Sequence, residues 1–426
     1  MQSARPKQAR AGAAARRFAA QASRVTMARM PPQDPDLREV YDRLLERWQA
    51  AGPAAVLAEV ANRLRQTQRF HDLFEVLKLG VRQRLGLPLL PTGPTEGLSP
   101  PQQAQLEEGL IAACREVGLL LLAAGRIREG WLYLRPVGNR EQVARELAGI
   151  PATDTNLEEL IEVSLYEGVD PVRGFSLVLE HHGTCNAITT LESQLPGLGR
   201  ADQQAAATLL LRHLYGELTE NVRGHIARQT GSAAPDGSLG QLVAAHAWLF
   251  EGGSYHIDTS HLAAVVRFAR LLTDREMLTR ARELAEYGQQ LDPQLQYPGE
   301  EPFAEIYPAH RLYFQAALGV NVDPALEYFR QRAAGLDVAR HGTGAVETYL
   351  ELLSRLGRYR EALDAALTML PPGTRARGWL LELSHGAHDF TPMLAACRQR
   401  DDAVGYVAAL LLSDWNGKGT TGHAND

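Results

Sequence analysis

The sequence predicts an all-α fold of stacked helical hairpins, and three observations carry that prediction. Apolar residues recur at helical spacing through most of the 426 residues, no segment sustains the period-two alternation of a strand, and long helical stretches alternate with short Gly-containing turns. A composition of 45% hydrophobic and 22% charged residues suits a chain with a buried core rather than a disordered one. At this length an extended array whose core grows repeat by repeat is preferred over two or three separate domains.

The elements follow in chain order. Residues 1–33 hold Arg5, Lys7, Arg10, Arg16, Arg17, Arg24 and Arg29 and no acid, so the rest of the chain lies near −13, seven charges below the whole chain's −6. This segment reads as a disordered basic arm. Its charge would suit nucleic acid or anionic lipid, and its Arg-, Ala- and Ser-rich makeup an organellar presequence. The plainer reading is an unstructured extension, or an upstream start codon with translation beginning at Met27 or Met30. No apolar export segment follows Arg16-Arg17-Phe18.

Asp34-Pro35-Asp36 is expected to cap the first helix of an N-terminal helical segment, 34–85, with Leu37, Val40, Tyr41, Leu44, Leu45 and Trp48 at helical spacing. Gly52-Pro53 ends that helix and starts a second, to Gln66; a third runs from Phe70 to Arg84. Residues 86–101, with five prolines and three glycines, read as a linker. The array is then expected over 102–413. Its helices are predicted at 102–124, 128–148, 156–167, 171–182, 184–195, 202–229, 239–251, 259–272, 275–291, 304–318, 324–334, 343–356 and 359–370, with two more before a disordered polar tail at 414–426.

At Leu356-Gly357-Arg358-Tyr359-Arg360-Glu361-Ala362-Leu363, followed by Ala366 and Pro371-Pro372, each residue type has a packing reason. Gly closes one helix, Tyr359 fills the turn, small Ala362 permits a close helix crossing, and Pro ends the unit. Weaker copies stand at Gly125-Arg126-Ile127-Arg128-Glu129-Gly130-Trp131 and Gln68-Arg69-Phe70-His71-Asp72-Leu73. These segments resemble the turn and second helix of tetratricopeptide repeats; the family's Trp and Leu positions in the first helix are mostly absent. The resemblance implies a tetratricopeptide-like α-solenoid in which first helices line a concave surface and function sits in that concavity. A second echo pairs Val169-Asp170-Pro171 and His182-Gly183-Thr184 with Val322-Asp323-Pro324 and His341-Gly342-Thr343, which reads as a duplicated block.

The longest strongly apolar stretch, Val117 to Ala124, is far shorter than the roughly 20 residues of a membrane-spanning helix, so no membrane span is expected. Cys114, Cys185 and Cys397 are too few and too scattered for a disulfide framework, so reduced thiols and a cytoplasmic location are expected. Gly-x-Gly-x-x-Gly after a strand, the Gly-x-x-x-x-Gly-Lys-Ser/Thr phosphate loop, His-Glu-x-x-His and Gly-x-Ser-x-Gly are all missing, which takes support from the common nucleotide-binding and hydrolase classes.

The densest polar cluster is Glu251-Gly252-Gly253-Ser254-Tyr255-His256-Ile257-Asp258-Thr259-Ser260-His261. His256, Asp258 and His261 offer two imidazoles and a carboxylate, a set suited to a divalent metal such as Zn, Fe or Mn. Against that, Asp258 or Thr259 is a good N-cap and Gly252 a good C-cap. Glu305 and His310 are candidates for a general base or catalytic pair on the next first helix, with Tyr255, Tyr307 and Arg311 lining the same groove. Glu180-His181-His182-Gly183-Thr184-Cys185-Asn186 brings the residue types of a thiol nucleophile into one turn, where capping explains them better. His213 and Glu217 read as a solvated i, i+4 pair.

Two functions compete. The first is a helical-repeat interaction protein that binds a peptide or partner protein in its concave groove, nucleic acid entering only through the basic arm. The alternative is a metal-dependent enzyme on an α-helical scaffold, with His256, Asp258 and His261 as ligands.

Overall fold

The computed structural model of the protein describes residues 37–89 and 98–419. The basic arm 1–33, the cap at 34–36, linker residues 90–97 and tail residues 420–426 lie outside the described residues. Among the described residues the fold is all-α, with no strand and a single isolated bridge, Pro298 to Glu305. No described helix is long and apolar enough to cross a membrane.

The chain divides into two compact units, residues 1–181 and 182–426. The first contains α1 (Leu37–Gln66), α2 (Phe70–Arg84), α3 (Pro100–Ala123), α4 (Ile127–Leu134), α5 (Arg140–Ala148), α6 (Leu157–Ile161, continued by a π turn at Glu162–Tyr166) and the first half of α7 (Pro171–Gln194). The second contains the rest of α7, α8 (Arg200–Thr230), α9 (Leu239–Ala245), α10 (Thr259–Phe268), α11 (Arg275–Gln290), α12 (Ile306–Ala317), α13 (Val322–Gly335), α14 (Val338–His341), α15 (Gly344–Arg355), α16 (Tyr359–Met369), α17 (Thr374–Ala387), α18 (Thr391–Gln399) and α19 (Ala403–Gly419). Within each unit, most helices pack on the next one along the chain.

Three of the turns share one geometry. Gln68, Gly125 and Gly357 are left-handed at φ 54, 75 and 71. The residue after each is an arginine whose backbone N–H reaches the carbonyl five residues back at 2.9 Å: Arg69 to Leu64, Arg126 to Leu121, Arg358 to Leu353. This is the Schellman closure, which satisfies carbonyls that a helix end leaves free. Each arginine side chain then pairs with an acid three residues on, Arg69 with Asp72 at 2.7 Å, Arg126 with Glu129 at 2.5 Å and Arg358 with Glu361 at 3.6 Å. The acid also sits in the first turn of the new helix, where the dipole favours it.

Small residues follow where helices cross closely. A Cβ on Gly118 of α3 would meet Leu134 Cγ at 2.5 Å and the Gly130 carbonyl at 3.0 Å, so α3 and α4 touch nearly backbone to backbone. In the second unit Ala362 and Ala366 of α16 are fully buried. The core of the first unit gathers Leu73, Phe74, Cys114, Val117, Leu121 and Tyr133 from three helices. Burial pushes the Cys114 thiol up to about 12, which leaves it unreactive.

The helix boundaries depart from the sequence reading in four places. The helix expected over 128–148 breaks into α4 and α5 around a 3₁₀ turn, Arg135–Val137, because Pro136 lacks an N–H and Gly138 turns left-handed at φ 79. The helix expected over 239–251 ends at Ala245 and continues as 3₁₀. Ser99, Pro100 and Pro101 of the expected linker cap and open α3. Three helices rather than two follow Leu370, and the last reaches Gly419, six residues into the segment expected as tail.

Candidate functional site

The site is built on α10. Asp258 caps this helix, its Oδ1 accepting from the N–H groups of Ser260 (2.9 Å) and His261 (3.2 Å) and from the Ser260 hydroxyl (2.5 Å). Leu262, Val265 and Val266 turn one face into the core. Ser260, Ala263, Ala264, Arg267 and Arg270 line the face opposite. The far end of α10 is tied down by Arg355 of α15, which donates to Leu272 O at 2.5 Å and to Arg270 O while pairing with Glu351 at 2.8 Å.

Two clefts meet along this face. One, of about 680 Å³, is walled by α10, the loop 297–303, α12 and α15. The other, of about 1140 Å³, is walled by the end of α7, α8, α10, α15 and α17. Arg267, Arg270, Gly344 and Thr348 belong to both, so the clefts form one continuous groove.

Charge in the groove is almost fully paired. Arg267 bonds Glu192 at 2.8 Å, Arg375 bonds Glu347 at 2.5 Å, Arg355 bonds Glu351, and Arg200 approaches Glu382 at 3.9 Å. Arg270 differs: no described carboxylate pairs with it, and its Nε makes only a 3.4 Å contact to Arg267 O. Burial pushes this guanidinium below its ordinary value, yet arginine stays charged at neutral pH. It lies over the Phe303 ring, 4.5 Å from its centroid.

His310 stacks on the same ring at 4.1 Å and is 1% exposed. Its Nδ1 donates to Ile306 O at 2.6 Å, which leaves Nε2 as an unprotonated acceptor, and that nitrogen has no partner. Burial first, then the nearby Arg270 cation, push its pKa down to about 3, so the ring is neutral. Glu301, at the mouth of the smaller cleft, pairs with Arg332 at 2.7 Å through Oε1, while its Oε2 is buried without a partner.

The chain matches no family model, no curated protein and no solved structure. The chemistry of the groove is therefore read from its own side chains.

The residues singled out in the sequence fall in several places. His256 sits in a hydrogen-bonded chain: its backbone N–H donates to the Tyr287 hydroxyl at 3.0 Å, its Nδ1 faces that hydroxyl at 2.8 Å, and its Nε2 faces His225 Nδ1 at 2.7 Å. Tyr287 holds its proton, because burial pushes its pKa far up. Its O–H donates to His256 Nδ1, so His256 Nε2–H donates to His225 Nδ1. Burial, with His225 and Arg228 beside it, pushes His256 down to about 4. Both ring nitrogens of His256 and one oxygen of Asp258 are thus engaged, and His261 joins the capped turn by its backbone.

Among the described residues no group of three His, Cys, Asp or Glu side chains stands close enough to hold a metal ion. The expected trio of His256, Asp258 and His261 does not converge, because capping and the tyrosine–histidine chain use the same atoms.

Glu305 and His310 separate as well. Glu305 stands before α12 in an extended conformation and is exposed, whereas His310 lies inside the helix and is buried. Tyr307 lines no groove: it is fully buried with its ring against Gly288. Tyr255 and Arg311 are exposed and lie outside both clefts. In the second cluster Thr184 contacts His213 at 3.1 Å, Asn186 donates to His182 O, and the Cys185 thiol is exposed.

Sequence reasoning overlooked Arg267, Arg270, Phe303, Thr348 and Trp379. One signal was available, since positions 260, 263, 264, 267 and 270 share a helix face that is small or basic rather than apolar.

Proposed function

We propose that residues 182–426 form stacked tetratricopeptide-like hairpins and that the groove along α10 binds an extended peptide or a segment of a partner protein. The observation that carries the reading is the continuity of the groove along α10, α12, α15 and α17, which this reading takes as first helices of successive hairpins. Its wall chemistry fits a peptide: paired Arg and Glu side chains for backbone and polar contacts, and half-buried Trp379 as an aromatic anchor. The repeated turn geometry supports the hairpin assignment in both units. A cytoplasmic location goes with this reading, on three cysteines that stand free.

The test is a selection of displayed random peptides against the full chain, with affinities of the enriched peptides measured on wild type and on Trp379→Ala. Loss of an interface Trp removes about 2 kcal/mol or more, a drop of some thirtyfold. Peptides that bind both proteins equally, or no enrichment, would sink the proposal.

A further inference from the structure

The smaller cleft carries a pattern that peptide binding does not use. Its lining residues own one cation without a carboxylate, Arg270, and two buried acceptors without donors, His310 Nε2 and Glu301 Oε2. Unpartnered buried polar atoms are rare because each costs the loss of its water. Two acceptors beside one free guanidinium therefore ask for a ligand with N–H or O–H donors at one end and negative charge at the other.

One ring brings the cation and one of the acceptors together. Phe303 touches both groups, with the guanidinium carbon 4.5 Å and the imidazole centroid 4.1 Å from its own centroid. Their separation is at most the sum of the two distances, 8.6 Å. In an α-amino acid the ammonium nitrogen and carboxylate carbon are about 2.5 Å apart, set by the bonds to Cα. With a hydrogen bond of about 2.9 Å at each end, such a molecule reaches partners several ångströms apart. The cleft's 680 Å³ leaves room for a side chain, and Ala263, Ala264 and Ile306 supply an apolar wall for it.

We infer that this cleft is a binding site for a small zwitterion of the α-amino acid class, its carboxylate on Arg270 and its ammonium donating to Glu301 Oε2 and His310 Nε2. The paired arginines of the larger cleft lack the free charge for this role. The neutral state of His310 matters to the fit, since a protonated ring would present a donor to the ammonium. The inference stands apart from the peptide reading, because the ligand needs no peptide bond and occupies only the smaller cleft.

The experiment is a thermal-shift screen of the full chain against the standard free L-amino acids, followed by calorimetric titration of the best binder and of its two halves. The halves are the deaminated acid, with the carboxylate alone, and the decarboxylated amine, with the ammonium alone. The whole amino acid is expected to bind at least about tenfold more tightly than either half, and Arg270→Met and Glu301→Gln each to weaken it at least about tenfold. The comparison of whole ligand with halves uses wild-type protein, so it decides the matter even where a variant fails to fold. Binding by none of the amino acids, or equal binding by the deaminated acid, would overturn the inference. So would full affinity in a folded Arg270→Met.

Discussion

Replacing Gly342 by alanine tests the junction between α14 and α15 directly. This residue separates α14 from α15 at φ 77, ψ −176. The kinks inside α7 and α1 are made by Gly183 at φ 82, ψ 175 and Gly52 at φ 77, ψ −178. A residue with a Cβ reaches this region only at a cost of about 1–3 kcal/mol. Nothing else contributes at Gly342, because an added Cβ meets no atom within 4 Å. Rotation to negative φ would relieve the strain but redirect the chain before Thr343, whose hydroxyl bonds Glu347 at 2.5 Å.

Gly344, two residues on, is an internal control. It lies in α15, has ordinary φ and also has open space around its Cα, so alanine there is expected to stabilise by up to about 0.5–1 kcal/mol. The assay is thermal unfolding of the two variants beside wild type, followed by helix circular dichroism. For a body of this size each kcal/mol moves the melting temperature by about 2–4 °C. Gly342→Ala should melt several degrees below wild type and Gly344→Ala at or above it. A Gly342→Ala variant as stable as wild type would refute the strained-junction account.

Three further outcomes follow from the packing. Gly118→Ala should lose about 1–3 kcal/mol in thermal unfolding, since its Cβ has no room against Leu134 and the Gly130 carbonyl; a neutral result would mean α3 and α4 separate freely. Glu283→Ala should cost about 3 kcal/mol, because this buried carboxylate accepts from Tyr215 (2.6 Å), Ser238 (2.8 Å) and the Gly240 N–H (3.1 Å) at the start of α9, and its loss strands them. Stability should fall as pH drops from about 6.5 toward 4. His256 and His310 have folded-state values lowered to about 4 and about 3, so the unfolded chain takes up protons in this window that the folded chain refuses. The urea midpoint at pH 7.5 and pH 5 measures the fall, and an unaltered fall in His256→Asn/His310→Asn would assign it elsewhere.

Much of the helical plan was legible because the signals are local. The three Gln/Gly-Arg turns need only a left-handed residue and an acid three positions after the arginine, and both stand in the sequence. The break at Pro136 was also written there, but the apolar spacing on both sides runs through it and reads as one helix. The site was legible only in part. Asp258 was visible as a cap as well as a ligand, and the choice between them depended on how close His225, Tyr287 and His256 stand, 31 residues apart in each direction. His310 was singled out beside Glu305, its neighbour in sequence. Its actual companions, Phe303 and Arg270, arrive by a loop and by α10, and nothing in local spacing announces a residue brought from forty positions away.

The shared corner at Arg69, Arg126 and Arg358 bears on how such a chain changes length. Each corner's backbone closure uses only its own carbonyls, while His71 and Asp323 add contacts to the arginine–acid pairs at Arg126 and Arg358. Unequal recombination between two corners would join the helix before one to the helix after another and still leave a complete closure. Gain or loss of a helix pair would then be limited by the fit of helix faces such as Gly118 against Gly130 rather than by the backbone closure of the corners.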